Sequence, residues 1–82
     1  MVMKRPLIMN QPEIGKLIHE LRLVTGLTQE QFASNLGVTY STVNRWENGR
    51  AQPSPMAMKL VEQKLEEIGE QGKGLLEKYL TN

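Results

Sequence analysis

Apolar residues recur along the chain at three- and four-residue steps, the mark of helices that each bury one face. Ile14, Leu17, Ile18, Leu21 and Val24 form the first stripe, opened by Asn10, Gln11, Pro12 and Glu13 and interrupted by TGLT at residues 25–28. Pro at an early helical position and an acid in the first turn suit a helix start, so the spacing predicts a helix over about 13–24. Thr28 and Gln31 match a capping box, in which hydroxyl and amide each satisfy an orphan backbone N–H. A second helix over about 28–36 then carries Phe32, Ala33 and Leu36 inward and stops at Gly37. Thr39 caps a third over about 39–48, with Gly49 as its left-handed terminator. Ser54 and Pro55 open a fourth, on which Ala57, Leu60, Val61, Leu65 and Ile68 share a face. The segment GEQGKG at 69–74 reads as a flexible joint before a short apolar-periodic tail, Leu75, Leu76, Tyr79 and Leu80. No strand-type alternation and no internal repeat occurs. The expectation is an all-α fold, a compact bundle of four or five helices, with an arm at 1–12, a body at 13–68, and a linker and short C-terminal helix at 69–82.

The third helix breaks the pattern. Within YSTVNRWEN only Val43 and Trp46 face inward, about half the apolar stripe that a surface helix normally supplies. Its polar face is therefore free for another task. Helices two and three are joined by GVT at 37–39, too short for an antiparallel hairpin packed along its length, so the pair must cross steeply. Such a crossing asks for a small residue where the helices approach, a Gly in the turn, and apolar anchors on the second helix. Ala33, Gly37, Val43 and Trp46 meet those demands in the spacing Ala-x3-Gly-x5-Val-x2-Trp.

From about Ile14 to Ile68 the sequence resembles the phage-repressor and Cro-like helix-turn-helix domains, the XRE type. The likeness is densest in LTQEQFASNLGVTYSTVNRWENG, through Leu27-Thr28-Gln29, Ala33, Leu36-Gly37-Val38, Val43 and Trp46-Glu47-Asn48-Gly49. The stretch RAQPSPMAMKLVEQKL also resembles the loop and fourth helix of HigA-type antitoxins. The first resemblance implies a lambda-repressor-like domain that binds operator DNA as a dimer, with helix three as the recognition helix in the major groove.

On that reading Thr39, Tyr40, Ser41, Asn44 and Arg45 lie on or near the exposed face. Arg45 suits guanine O6 and N7, Asn44 suits adenine N6 and N7, and Thr39, Tyr40 or Ser41 suits phosphate, base edge or thymine methyl. The resemblance implies phosphate contacts from Gln29 at the amino end of helix two, beside Thr28, and from Asn48 and Arg50 after the recognition helix. Each assignment has a plainer rival. Tyr40 also fits half-burial against helix two, Thr39 is first a cap, and Arg45 also fits a solvated or salt-bridged role. Trp46 reads as core, in register with Val43. Glu47, acidic beside a polyanion, reads as structural, tying Arg22 or Arg45. His19, alone on the polar side of helix one, reads as a surface residue.

Composition narrows the alternatives. Cys and Asp are absent and His occurs once, so no disulfide framework, thiolate zinc site, catalytic triad or Asp pair can be assembled. The Glu residues are scattered over helix faces. No enzyme activity, cofactor or metal is expected. Formal net charge is +1, but its distribution is uneven: seven Lys/Arg against four Glu up to residue 59, then three Lys against five Glu. The N-terminal MVMKRPLIM carries too short an apolar run for a signal peptide, and no run reaches a membrane span, so a soluble, cytoplasmic protein is expected. A single helix-turn-helix touches few base pairs, which favours a homodimer on a palindromic operator. The pairing groups are sought in Leu75, Leu76, Tyr79 and Leu80, or in Met56 and Met58 of helix four; alternatively the tail folds back to complete the core. A transcriptional regulator, chiefly a repressor acting by occupancy, leads over an antitoxin with a toxin partner and over an interaction module that has lost DNA binding.

Overall fold

A computed structural model describes residues 10–80, and these fold into five helices: α1 (Glu13–Thr25), α2 (Gln29–Leu36), α3 (Tyr40–Glu47), α4 (Pro55–Glu67) and α5 (Glu70–Leu80). The all-helical bundle is the expected class, and among the described residues there is no strand. Local chemistry sets the boundaries. Thr28 Oγ1 accepts from Gln31 N at 3.1 Å while Gln31 Oε1 accepts from Thr28 N at 2.9 Å, so the capping box is complete. Thr39 and Ser54 cap α3 and α4 in the same sense, accepting from Thr42 N and Ala57 N. At α1 the cap comes from further back: Gln11 Oε1 accepts from Gly15 N at 3.0 Å. In the turn between α2 and α3, Gly37 sits at φ 73 and lets Val38 N reach Ala33 O at 3.0 Å, closing α2 with a left-handed turn that a Cβ would oppose.

One core holds the helices together. Ile14, Leu17, Ile18 and Leu21 of α1 meet Phe32, Ala33 and Leu36 of α2, Val43 and Trp46 of α3, Ala57, Met58, Val61 and Leu65 of α4, and Leu75 of α5. Outside the helix-turn-helix, α1 touches both α3 and α5, and α4 leans on α5. The Arg22 and Glu47 side chains join α1 to the end of α3, Lys64 Nζ donates to Asn35 Oδ1 across α4 and α2, and Lys78 and Tyr79 bind Glu20 across α5 and α1.

Three expectations change. The GEQGKG segment is not a joint: only Gly69 is a turn residue, at φ 62, and α5 begins with the next residue. Gly72 lies so close to α4 that a Cβ there would stand 2.0 Å from Leu65 O. The glycine permits contact between helices, not motion. Leu75 and Met58, sought as pairing groups, are core residues at 8% exposure each, so the tail folds back and completes the bundle. Leu76 and Tyr79 pack against that core, and the Leu80 side chain lies outside the described residues. Val24 continues the stripe of α1 in sequence but is 40% exposed, because the core occupies only the Ile14–Leu21 part of that face.

The two glycines of α5 should therefore respond oppositely to substitution. Gly74, whose Cβ would meet nothing within 4 Å, should gain about 0.5–1 kcal/mol as Gly74→Ala by losing unfolded-state freedom. Gly72→Ala should lose about 1–3 kcal/mol, because a backbone carbonyl has to move. Thermal unfolding of the two variants checks this: midpoints shifting the same way would contradict the packing of α5 on α4.

Candidate nucleic-acid interface

Three residues, Gly37 to Thr39, separate α2 from α3, and α3 commits only Val43 and Trp46 to the core. Tyr40 is 50% exposed, Ser41 and Arg45 are exposed, and Asn44 is half-buried. Among the described residues no side chain holds the Arg45 guanidinium. Thr39 is exposed yet occupied: its Oγ1 lies 2.8 Å from Thr42 Oγ1 and 3.2 Å from Ser41 Oγ besides capping the helix. Arg50 is exposed just past Gly49, where its backbone N donates to Arg45 O at 2.8 Å. Tyr40, Ser41, Arg45, Asn48 and Arg50 thus stand on the outward side of the α3 region, and Ala33, Val43 and Trp46 on the inward side.

Behind this surface lies a polar cluster centred on Glu47, whose side chain is 5% exposed. Arg22 Nε donates to Glu47 Oε2 at 2.7 Å and Arg22 Nη2 to Oε1 at 3.1 Å, a forked pair that Arg22 Nη1 extends to Leu27 O. Gln29 Nε2 donates to Oε1 at 3.0 Å, and His19 Nδ1 lies 3.0 Å from the same oxygen. The carboxylate is tied to Arg22 and not to Arg45. Burial alone would raise the Glu47 pKa, but hydrogen bonds from Arg22, Gln29 and His19 together with the Arg22 charge outweigh it and hold the carboxyl below its ordinary value of 4.5. The cluster extends outward: Asn44 Nδ2 donates to Gln29 Oε1 at 3.2 Å, and Asn48 Nδ2 to Asn44 Oδ1 at 2.8 Å.

Two members of this arrangement carry no signal in the sequence. His19, 48% exposed in its side chain, joins the Glu47 cluster across 28 positions of chain. Gln11 Nε2 donates to Trp46 O at 2.9 Å and Ala51 O at 2.7 Å, so it binds the end of α3 as well as capping α1. Gly15 makes this approach possible, since a Cβ there would stand 2.3 Å from Trp46 O.

A short helix joined by a three-residue glycine turn to a second helix that shows a polar outer face is a helix-turn-helix, the architecture of a DNA-binding regulator. A family model described as helix-turn-helix matches residues 18–69, and the chain belongs to that XRE-type, Cro/C1-like family of DNA-binding transcriptional regulators. No curated protein and no solved structure matches the chain. Among the described residues no helix is long and apolar enough to cross a membrane, and no cluster of His or Glu has the makings of a metal site.

The depressed Glu47 pKa has a definite sign in stability. Its contribution is full above the unfolded value near 4.5 and is lost as pH falls through the lower folded value. Glu20, lowered by its hydrogen bond from Tyr79 and then by Lys78, adds to the same acid limb. Glu47→Gln should cost about 1.5–3 kcal/mol at pH 7 and flatten the decline below pH 4.5 without abolishing it. Denaturant unfolding at pH 7, 4.5 and 3 measures both; an unchanged acid limb would remove Glu47 from this role.

Proposed function

We propose that the protein is a sequence-specific reader of double-stranded DNA that acts as a repressor by occupying its operator, with α3 in the major groove. The observation that carries this reading is the division of α3: two buried anchors hold it, while Tyr40, Ser41 and Arg45 face outward and the Arg45 guanidinium has no partner among the described residues. A guanidinium left unpaired on an exposed helix suits the fork of guanine O6 and N7. Thr39, Tyr40 and Ser41 flank it for base-edge or methyl contacts. Gln29 and Thr28 at the start of α2, with Asn48 and Arg50 beyond α3, supply phosphate contacts that set docking without reading sequence.

The same proposal includes a homodimer on a two-fold operator, since one recognition helix reads too few base pairs for a unique site. With Leu75 and Met58 inside the core, the exposed large apolar groups outside α3 among the described residues are Leu23, Val24 and Met56, and these are the candidates to join copies. An antitoxin that controls its own operon is the second reading, favoured by the likeness of RAQPSPMAMKLVEQKL to the HigA type. Against it, the tail at 69–82, one candidate for a toxin-binding arm, carries α5, which packs on α1 and α4. Co-purification of a tightly bound small protein would favour the antitoxin.

Selection from randomised duplex DNA, followed by anisotropy over a salt series, tests the reading. A two-fold consensus should emerge; Arg45→Ala should lose about 1–3 kcal/mol and relax preference at one base pair per half-site, whereas Arg50→Ala should weaken all duplexes evenly and reduce the salt slope by about one. If no sequence is enriched, sequence reading by this chain is wrong. Light scattering with and without the enriched duplex checks the dimer: one copy per palindrome would sink it.

A further inference from the structure

We infer that Asn44, whose sequence position suggests an adenine reader, is instead a positioning residue that fixes the side-chain amide of Gln29 toward DNA; this rests on the DNA-reading proposal above. The hydrogen-bond chain begins at Glu47. An ionised carboxylate only accepts hydrogen bonds, so the Gln29 side chain 3.0 Å away must turn its NH2 group toward it. That choice orients each amide in turn. The Gln29 oxygen then faces Asn44, which must answer with its own NH2 at 3.2 Å, and the Asn44 oxygen is left to accept from Asn48 at 2.8 Å. The three amides form one directed chain whose polarity is set by the Glu47 charge.

Two consequences follow for the outer surface. An Asn that reads adenine presents its oxygen and NH2 together to the base edge. In Asn44 these groups face Asn48 on one side and Gln29 on the other, and the residue is half-buried between them. Gln29, by contrast, keeps one N–H beyond the bond to Glu47, and its oxygen is turned inward onto Asn44. It can therefore offer a donor to a phosphate oxygen, and the reversed amide is excluded because it would set the Gln29 oxygen against the Glu47 carboxylate.

The test is a double-mutant cycle of Gln29→Ala and Asn44→Ala, read by anisotropy on the duplex enriched from the random pool and on its single-base-pair variants. Each single change should weaken binding about three- to tenfold, the double change should cost no more than the larger single, and the loss should be the same for every base-pair variant. The salt slope should not move, since neither residue is charged. In the absence of DNA, the side-chain amide signals of Gln29 in ¹⁵N NMR should shift and exchange faster in Asn44→Ala. Losses that multiply, a preference relaxed at one base pair, or Gln29 amide signals that do not respond would each overturn the inference. If the wild-type protein enriches no duplex, the DNA-reading proposal fails, and the NMR measurement alone decides whether Asn44 positions Gln29.

Discussion

The buried carboxylate of Glu47 is the point at which α1, α2 and α3 are held in fixed relation. Its position is unfavourable twice over. Burial penalises the ionised form, and the last residue of α3 lies where the free carbonyls of the helix carry partial negative charge. Only the forked bond from Arg22, with Gln29 and His19 on the remaining sites, makes the charge tolerable there. Such a pair is weak as a source of net stability, since a matched apolar group often does as well. Its effect is geometric: apolar contacts tolerate sliding by fractions of an ångström, whereas hydrogen bonds to a carboxylate at 2.7 to 3.1 Å from two other helices do not.

The backbone at the end of α3 is fixed from the same direction. Helix geometry leaves the last carbonyls without their usual i+4 partners; Trp46 O accepts from Gly49 N at 3.1 Å, and Gln11 adds a second donor to it and reaches on to Ala51 O in the loop that follows. Gly15 lets α1 approach Trp46 O closely enough for this. The side chain of Glu47 and the carbonyl of Trp46, consecutive residues, are thus both held by α1, one through Arg22 and one through Gln11. A helix with only two apolar anchors gains from polar contacts the orientation that a wider apolar stripe would otherwise impose.

How far the chain declares this in advance depends on distance along it. Thr28 with Gln31, Thr39, Ser54 and Gly37 work within a few residues of themselves, so the ends of the helices can be read from local chemistry. Phe32, Ala33 and Leu36 follow the helical period and are buried. Periodicity says nothing of polar partners, however, and Gln11 with Trp46, or His19 with Glu47, meet only after α1 has docked. Glycine is ambiguous for a related reason. Gly69 and Gly72 look alike in GEQGKG, yet one makes a turn and the other a contact, and only the position of Leu65 separates them. Surplus apolar residues mislead similarly: Leu75 and Met58 exceed what a four-helix core needs but not what five helices enclose.

On the DNA-reading proposal, this division of labour separates the residues that hold α3 from those that read. An eight-residue helix is too short to persist alone, so its order is borrowed from Thr39, the turn at Gly49, the two anchors and the Glu47 network. None of these uses the side chains of Tyr40 or Arg45, which make no hydrogen bond to other described residues. Replacing those two leaves the caps, anchors and amides described above intact, so base preference can change there without disturbing the frame. Asn44 and Glu47 have no such freedom, since each is a partner to another group in the protein. The boundary between reader and frame runs between Asn44 and Arg45, neighbours in sequence, and it is drawn by which of the two side chains the rest of the molecule holds.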